Sequence, residues 1–98
     1  MRRAAKVDAN QGEIVKALRN AGYSVAPTHG VGNGFPDIVA GRWGRNYMIE
    51  IKDGAKPPSA QALTQAERDF HHNWKGEVFI VTSPADALTQ LRKRVFEE

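Results

Sequence analysis

The chain has 98 residues, which suffices for one compact domain and leaves no room for a second. It has no cysteine, and this excludes disulfides, thiolate metal sites and a cysteine nucleophile. No apolar run approaches the length of a transmembrane helix, and the basic start lacks the apolar stretch of a signal peptide, so we expect a cytoplasmic protein. A net charge of +3 agrees with a nucleic-acid partner but does not require one.

The first half of the chain is predicted to form one helix followed by three strands. We expect residues 1–7 to form a loose, basic arm. Asp8 and Asn10 are candidate caps for a helix over about residues 9–21, in which apolar residues recur at helical spacing and which Gly22 ends. Weak alternation indicates a strand over 23–28, and a glycine-rich loop follows it. Two better strands are predicted over 37–40 and 47–52, with turn residues between them.

The second half is predicted to add a helix, a strand and a last helix. A surface loop over 53–62 precedes Thr64, which with Glu67 has the spacing of a capping box. The continuous apolar run over 78–81 is typical of a strand buried on both faces. Ser83 and Pro84 mark the start of the last helix. The order helix, three strands, helix, strand, helix predicts an α/β fold with a central mixed β-sheet flanked by helices.

Three charged residues on the two central strands form the most informative pattern. A hairpin centred on Trp43 and Gly44 places Asp37 directly across from Glu50, with their Cβ atoms about 5 Å apart. Lys52 lies two residues beyond Glu50, so it shares that face. A slip of one residue in this register would move Asp37 to the other face and remove the cluster.

Two opposed carboxylates repel each other, so this pattern needs a chemical explanation. A divalent cation between Asp37 and Glu50 would turn the repulsion into attraction, and hard oxygen ligands favour magnesium or manganese. Lys52 would then orient or deprotonate an attacking water, or stabilise charge on a phosphate. The alternative is an ordinary solvent-facing strand, but the loop that delivers Pro36 and Asp37 onto the preceding strand favours the functional interpretation.

Four further residues are candidate nucleic-acid contacts. An aromatic ring between two arginines can stack on bases and hold phosphates, although an exposed turn or a dimer contact would explain the same residues. A lysine in the loop after the second of these strands can also reach a phosphate. The four residues are Arg42, Trp43, Arg45 and Lys56.

The segments 34–37 and 50–52 resemble the motifs of the PD-(D/E)xK nucleases, and in particular the VRR-NUC domain in its compact, stand-alone phage form. Residues 8–11, 53–59 and 63–74 extend the resemblance, which covers about residues 8 to 90. It implies a restriction-endonuclease-like fold and hydrolysis of DNA phosphodiester bonds with Mg²⁺ or Mn²⁺. Stand-alone members are homodimers that cut branched DNA such as four-way junctions, which implies a role in DNA repair in a bacterium or a phage-infected cell.

The resemblance also assigns roles to individual residues. It makes Asp37 and Glu50 metal ligands, adds the carbonyl of Ile51 as a further ligand, and makes Lys52 the catalytic lysine. It places an acidic residue of the first helix near the site, for which Glu13 is the best match, with Asp8 and Gln11 as rivals. Where the family often has a glutamine after the lysine, this chain has Glu67. The alternatives are a DNA-binding module without catalysis and an RNA-directed nuclease of the same fold.

Overall fold

A computed structural model describes residues 8–96, with side chains as far as residue 94, so the predicted arm over 1–7 lies outside the described residues. Within this range the helices and strands follow the predicted order, with two short additions. The elements are α1 (Gln11–Asn20), β1 (Ser24–Pro27), a 3₁₀ turn (His29–Val31), β2 (Ile38–Arg42), β3 (Arg45–Ile51), α2 (Pro58–Gln61), α3 (Gln65–Asn73), β4 (Val78–Val81) and α4 (Pro84–Phe96). The additions are the 3₁₀ turn and α2, which lie in the two predicted loops.

The four strands form one mixed sheet in the order β1-β2-β3-β4. β1 and β3 each pair antiparallel with β2, and β4 pairs parallel with β3 after a crossover that contains α2 and α3. The helices α1 and α4 pack on each other, α1 also contacts β1, and α4 contacts β4. The prediction of an α/β domain with a mixed sheet flanked by helices is therefore confirmed. No helix within residues 8–96 combines the length and apolarity needed to cross a bilayer.

The hairpin between β2 and β3 has the predicted register. Arg42 pairs with Arg45 across a two-residue loop, and Trp43 and Gly44 in that loop have φ angles of 56° and 74°. Two positive φ values are the pattern of a type I′ turn, whose twist matches that of paired strands. The ladder ends at Ile38 opposite Ile49. Asp37 comes directly before β2, and because its N–H bonds to the Ile49 carbonyl, it lies beside the end of β3 without continuing the ladder.

The core lies between the sheet and the pair α1–α4, and it fixes which residues face the other way. Ile38, Ile49 and Ile51 are fully buried and belong to the same cluster as Ile14 and Leu91 of the two helices. Strand side chains alternate between faces, so the residues next to Ile49 and Ile51 along the chain must point away from that core. Glu50 and Lys52 therefore lie on the opposite face of the sheet.

The prediction that residues 78–81 form a strand buried on both faces is wrong. In the described part of the chain β4 is the edge of the sheet, and it pairs with β3 alone. Val81 is fully buried, but Ile80 points to the face opposite the core and is 40% exposed. A strand is buried on both faces only if another element packs against each face. The apolar run itself does not determine whether such an element is present.

Candidate functional site

Asp37, which directly precedes β2, is held by hydrogen bonds to both neighbouring segments. Its backbone N–H donates to the Ile49 carbonyl (3.0 Å), and its own carbonyl accepts from the N–H of Thr28 (2.8 Å). The Oδ2 atom accepts from the Ile51 N–H at 2.7 Å, in place of a carbonyl of β2. The carboxylate is thereby fixed against the end of β3. Because the N–H and C=O of a strand residue point to the same neighbour, the Ile51 carbonyl faces the Asp37 side of β3.

Glu50 is a buried carboxyl with an unused oxygen. It is only 2% exposed, and its Oε1 atom receives no hydrogen bond from any donor in residues 8–96. Burial, together with the hydrogen bond and the charge of Asp37, raises the pKa of Glu50 to about 9. Burial also raises the pKa of Asp37. Without a cation, the two carboxyls therefore hold a proton between them near neutral pH.

Lys52 completes the group, but its closest partner comes from another element. Its Nζ atom lies 2.8 Å from Oε1 of Glu67 and 3.7 Å from Oε2 of Glu50. Burial alone would lower the pKa of Lys52, but the hydrogen bond and charge of Glu67 outweigh it and place that pKa above its ordinary value. Lys52 is therefore an ammonium at neutral pH, which suits it to stabilise negative charge rather than to act as a base.

The capping box predicted at the start of α3 is confirmed, and it positions Glu67. The Thr64 hydroxyl accepts from the Glu67 N–H at 3.1 Å, and Oε1 of Glu67 accepts from the Thr64 N–H at 2.9 Å. The oxygen that completes the cap also accepts from Lys52. These contacts lower the pKa of Glu67 despite its partial burial, so the residue is a carboxylate at neutral pH.

A glycine lets the loop before β2 pass directly against α3. At Gly34, which has a φ of +78°, a Cβ atom would lie 2.2 Å from the carbonyl oxygen of Ala66. Beside this contact the rings of Phe35 and Phe70 meet edge to face, with centroids 5.3 Å apart. The loop that delivers Asp37 and the helix that carries Glu67 are thus packed together without an intervening side chain.

The start of α1 is attached to the same end of the sheet, although not in the predicted way. Asn10 stands at the N-cap position, but its side chain does not cap the helix, and no Asp8–Gln11 capping box forms. Instead, the Asn10 amide donates to the carbonyls of Lys52 (3.2 Å) and Thr82 (3.1 Å), which follow β3 and β4. The carbonyls of Lys52 and Thr82 need hydrogen-bond donors, and Asn10 supplies them instead of capping the helix as its residue type would favour.

Of the three candidates from this segment, Asp8, Gln11 and Glu13, it is Asp8 whose charge affects residues of the site. Its negative charge raises the pKa of both Asp37 and Lys52. Glu13, the preferred match, is exposed on α1, and Gln11 is 6% exposed with an Oε1 atom that has no partner in the described residues. The structure therefore favours Asp8 over Glu13 as the acidic contribution from this segment.

The donor set suits a hard divalent cation that keeps much of its water. Within residues 8–96 no cluster of three or more His, Asp or Glu side chains is arranged to hold a metal ion. Magnesium, however, is commonly bound through one or two carboxylates, with waters and substrate phosphate as its other ligands. Asp37 and Glu50 provide two carboxyl groups, and Oε1 of Glu50 has no hydrogen-bond partner among the described residues.

The predicted nucleic-acid contacts lie apart from this acidic centre. Arg42, Trp43 and Arg45 are at the far end of the hairpin, six residues from Asp37, or about 20 Å along an extended strand. Trp43 is 55% exposed, whereas Arg45 is half-buried. Lys56 is exposed in the loop after β3. The structure brings Asp37, Glu50 and Lys52 together and leaves these four residues outside the group.

Two residues of α3 lie near enough to Lys52 to interact with it, a placement that the sequence did not predict. Glu67 has a recognisable capping signal, but its contact with Lys52 joins residues 15 positions apart in two elements. His71, one helical turn later, has a buried Nε2 atom without a partner in the described residues. Burial lowers its pKa, and the charges of Glu67 and Lys52 also act on it. No local pattern in the sequence distinguishes His71 from its exposed neighbour His72.

No protein-family model matches the chain, and a search of curated proteins returns no match either. The geometry of the acidic centre must therefore carry any functional conclusion.

Replacing Glu67 tests the link between α3 and Lys52. We expect Glu67→Gln to lower the free energy of unfolding at pH 7 by about 1 kcal/mol, since a neutral amide keeps the geometry but loses the charge-assisted bond. Glu67→Ala should lower it by about 2–3 kcal/mol, because it also removes the cap. Because folding lowers the pKa of Glu67, the stabilisation that its carboxylate contributes is fully present above the ordinary pKa. It is lost as the pH falls through the pKa of Glu67 in the folded protein. Urea unfolding at pH 7 and pH 3 checks this, and equal stability of all three proteins at pH 7 contradicts it.

Proposed function

We propose that this protein is a metal-dependent endonuclease that hydrolyses phosphodiester bonds in DNA, with Asp37, Glu50 and Lys52 at its centre. The observation that carries the proposal is the pair of adjacent carboxyls on β2 and β3, one of them buried with a free oxygen, beside an ammonium. A buried acidic pair destabilises a fold unless a ligand or proton compensates it. Such an arrangement is expected where function requires it.

The proposal includes a restriction-endonuclease-like fold of the VRR-NUC type. Support comes from the core order α1, β1, β2, β3, α3, β4 and from the mixed sheet with one parallel pair. It also comes from the positions of the motif residues, because Asp37 directly precedes β2, Glu50 lies near the end of β3, and Lys52 directly follows β3. Fold alone does not determine function, so the chemistry of the site carries more weight than this likeness.

In the proposed mechanism, Asp37, Glu50 and the Ile51 carbonyl would hold a magnesium or manganese ion. When bound, the ion acts as a Lewis acid toward the phosphate and lowers the pKa of a coordinated water. For that ligation Glu50 must release the proton that its raised pKa retains near neutral pH. Metal binding is therefore expected to release protons and to strengthen as the pH rises.

Lys52 contributes electrostatic stabilisation in this mechanism. Hydrolysis adds water to phosphorus and breaks one P–O ester bond, and negative charge builds up on the phosphate oxygens in the transition state. The ammonium of Lys52, fixed by Glu67 at 2.8 Å, supplies a positive charge at that point. Because Glu67 is tied to the start of α3, the lysine is positioned before the substrate arrives, and little reorganisation is needed.

The proposed substrate is branched DNA, and the proposed assembly is a homodimer. The face of the sheet opposite α1 and α4 supports an assembly, because its apolar side chains are only partly covered. Val39, Met48 and Val78 are half-buried on that face, and Ile80 is 40% exposed. A second copy that contacts Ile80 would cover further apolar surface of this small domain. Because Ile80 pairs with Glu50, such a dimer would bring the second copy beside the acidic centre and must leave Glu50 and Lys52 open to DNA.

The direct test is cleavage of labelled linear duplex, four-way-junction DNA and matched RNA with Mg²⁺, Mn²⁺ or EDTA. We expect metal-dependent cutting that Asp37→Asn abolishes, whereas Asp69→Asn, which changes an exposed carboxylate of α3, leaves it intact. Calorimetric titration with Mn²⁺ should show a site that Asp37→Asn removes. Nucleic-acid binding without such a site would establish a non-catalytic module, and preferential cutting of RNA would establish the RNA-directed alternative.

A further inference from the structure

The tip of the β2–β3 hairpin carries a side chain that folding alone does not favour. Trp43 has a φ of 56° and Gly44 a φ of 74°. The first central position of a type I′ turn prefers asparagine, aspartate or glycine, and a bulky residue with positive φ is strained. The strained residue is also 55% exposed, so more than half of its surface is open to a partner. Strain that the fold does not require points to a function.

Two further side chains contact this indole, and a hollow opens beside it. The Arg42 guanidinium lies 3.9 Å from the ring centroid of Trp43 and also bonds to the Ala21 carbonyl. Tyr23 meets the indole edge to face, with ring centroids 5.9 Å apart. A hollow of about 350 Å³ opens here, lined also by Ala21, Leu88 and Arg92. The group that we call the tip platform consists of Tyr23, Arg42, Trp43 and Arg92.

The chemistry of the hollow combines flat aromatic surface with positive charge. Its lining contains two arginines and no carboxylate. Arg92 is exposed on α4, and its charge is near enough to act on the Tyr23 hydroxyl. A volume of this size suits a small group rather than a folded domain. A ligand that fits must therefore have a planar ring for the indole and an anion for a guanidinium.

We propose that the tip platform binds single-stranded nucleic acid, with an unpaired base stacked on Trp43 and a neighbouring phosphate held by Arg92. Arg42 holds the indole in place from one side, and base stacking on an exposed indole needs no particular sequence. Arginine suits the phosphate because its guanidinium presents several donors in one plane. This site lies about 20 Å along the hairpin from Asp37 and requires neither the carboxyl pair nor a cation, so it goes beyond the proposed hydrolysis.

The test measures binding of a fluorescein-labelled oligothymidylate by anisotropy in EDTA, where no metal-dependent hydrolysis occurs. We expect Trp43→Ala to weaken the Kd by about 5- to 150-fold, the range for loss of one stacked base. Arg92→Gln should weaken binding less and reduce the slope of log Kd against log salt by about 1. The matched control is Trp74→Ala, since Trp74 is also exposed (44%) but is stacked on Phe70 away from the tip.

A second variant separates binding from folding. Trp43→Asn creates an Asn-Gly pair suited to the turn, so it should melt at no lower temperature than the wild type while binding the oligonucleotide as weakly as Trp43→Ala. Unchanged binding in both Trp43 variants overturns the proposal. If the Trp43 variants bind as well as the wild type but no longer form a dimer in sedimentation, the proposal is also overturned, because the tip is then an interface between copies. If cleavage of DNA is never observed but Trp43 still governs oligonucleotide binding, the proposed hydrolysis fails and the tip platform stands.

Discussion

Lys52→Met should reduce single-turnover DNA cleavage by about a hundred- to a thousandfold while leaving Mn²⁺ binding intact or stronger. A preorganised charge at the phosphate is worth about 3–4 kcal/mol in the transition state, which corresponds to this change in rate. The Nζ atom lies only 3.7 Å from Oε2 of Glu50, so its loss removes a positive charge that competes with the cation. The variant therefore separates catalysis from metal binding, which substitutions of Asp37 and Glu50 cannot do.

Lys52→Arg is the matched control for this experiment. It keeps the charge, but its planar guanidinium cannot reproduce the bond of a compact ammonium to Oε1 of Glu67. Partial activity, between those of the wild type and Lys52→Met, is expected. Cleavage by Lys52→Met within tenfold of the wild type would remove Lys52 from the mechanism, and loss of Mn²⁺ binding in that variant would show that the residue only supports the structure.

The stability of the protein without metal should fall as the pH rises from about 5 to 9. The pKa of Glu50 in the folded state is about 9, above the ordinary value of 4.5. A carboxyl with a raised pKa contributes its full stability below the ordinary value, and that contribution is lost as the pH rises through the folded value. We expect a loss of about 2–4 kcal/mol between pH 5 and pH 8. Melting temperatures across this range in EDTA measure it.

Glu50→Gln and Mn²⁺ provide the two controls. The amide cannot ionise, so Glu50→Gln should lose much less stability with pH and should exceed the wild type at pH 8 in EDTA. Mn²⁺ should reverse the trend in the wild type, because ligation stabilises the ionised pair that high pH produces. A wild-type curve parallel to that of Glu50→Gln would show that Glu50 already ionises at low pH, and the buried pair would then need another explanation.

The centre of the site could be predicted from the sequence because its geometry is local. The turn at Trp43 and Gly44 sets the register of the hairpin, and the register brings Asp37, just beyond the end of the ladder, next to Glu50. Alternation of buried isoleucines along β2 and β3 fixes the face that Lys52 occupies. Each step uses residues within one hairpin, where strand periodicity and turn type suffice.

The parts that the sequence did not predict depend on contacts between distant segments. Asn10 has the features of a helix cap, yet its amide bonds to carbonyls 42 and 72 residues away. Lys52 meets Glu67 only because the crossover returns α3 to the end of β3. The exposure of Ile80 follows from the place of β4 at the edge of the sheet, which sequence patterns do not encode. Tertiary packing decides these features, and local propensity does not.

The close passage of the loop under α3 has a practical consequence for mutational scanning. Any side chain at Gly34 would collide with the Ala66 carbonyl and displace the helix that anchors Lys52 through Glu67. A screen that selects on DNA cutting will therefore rank this glycine beside the charged residues, although it offers no chemical group to a substrate. Thermal melting of each inactive variant will distinguish residues that are needed for packing, such as Gly34, from residues that take part in the reaction.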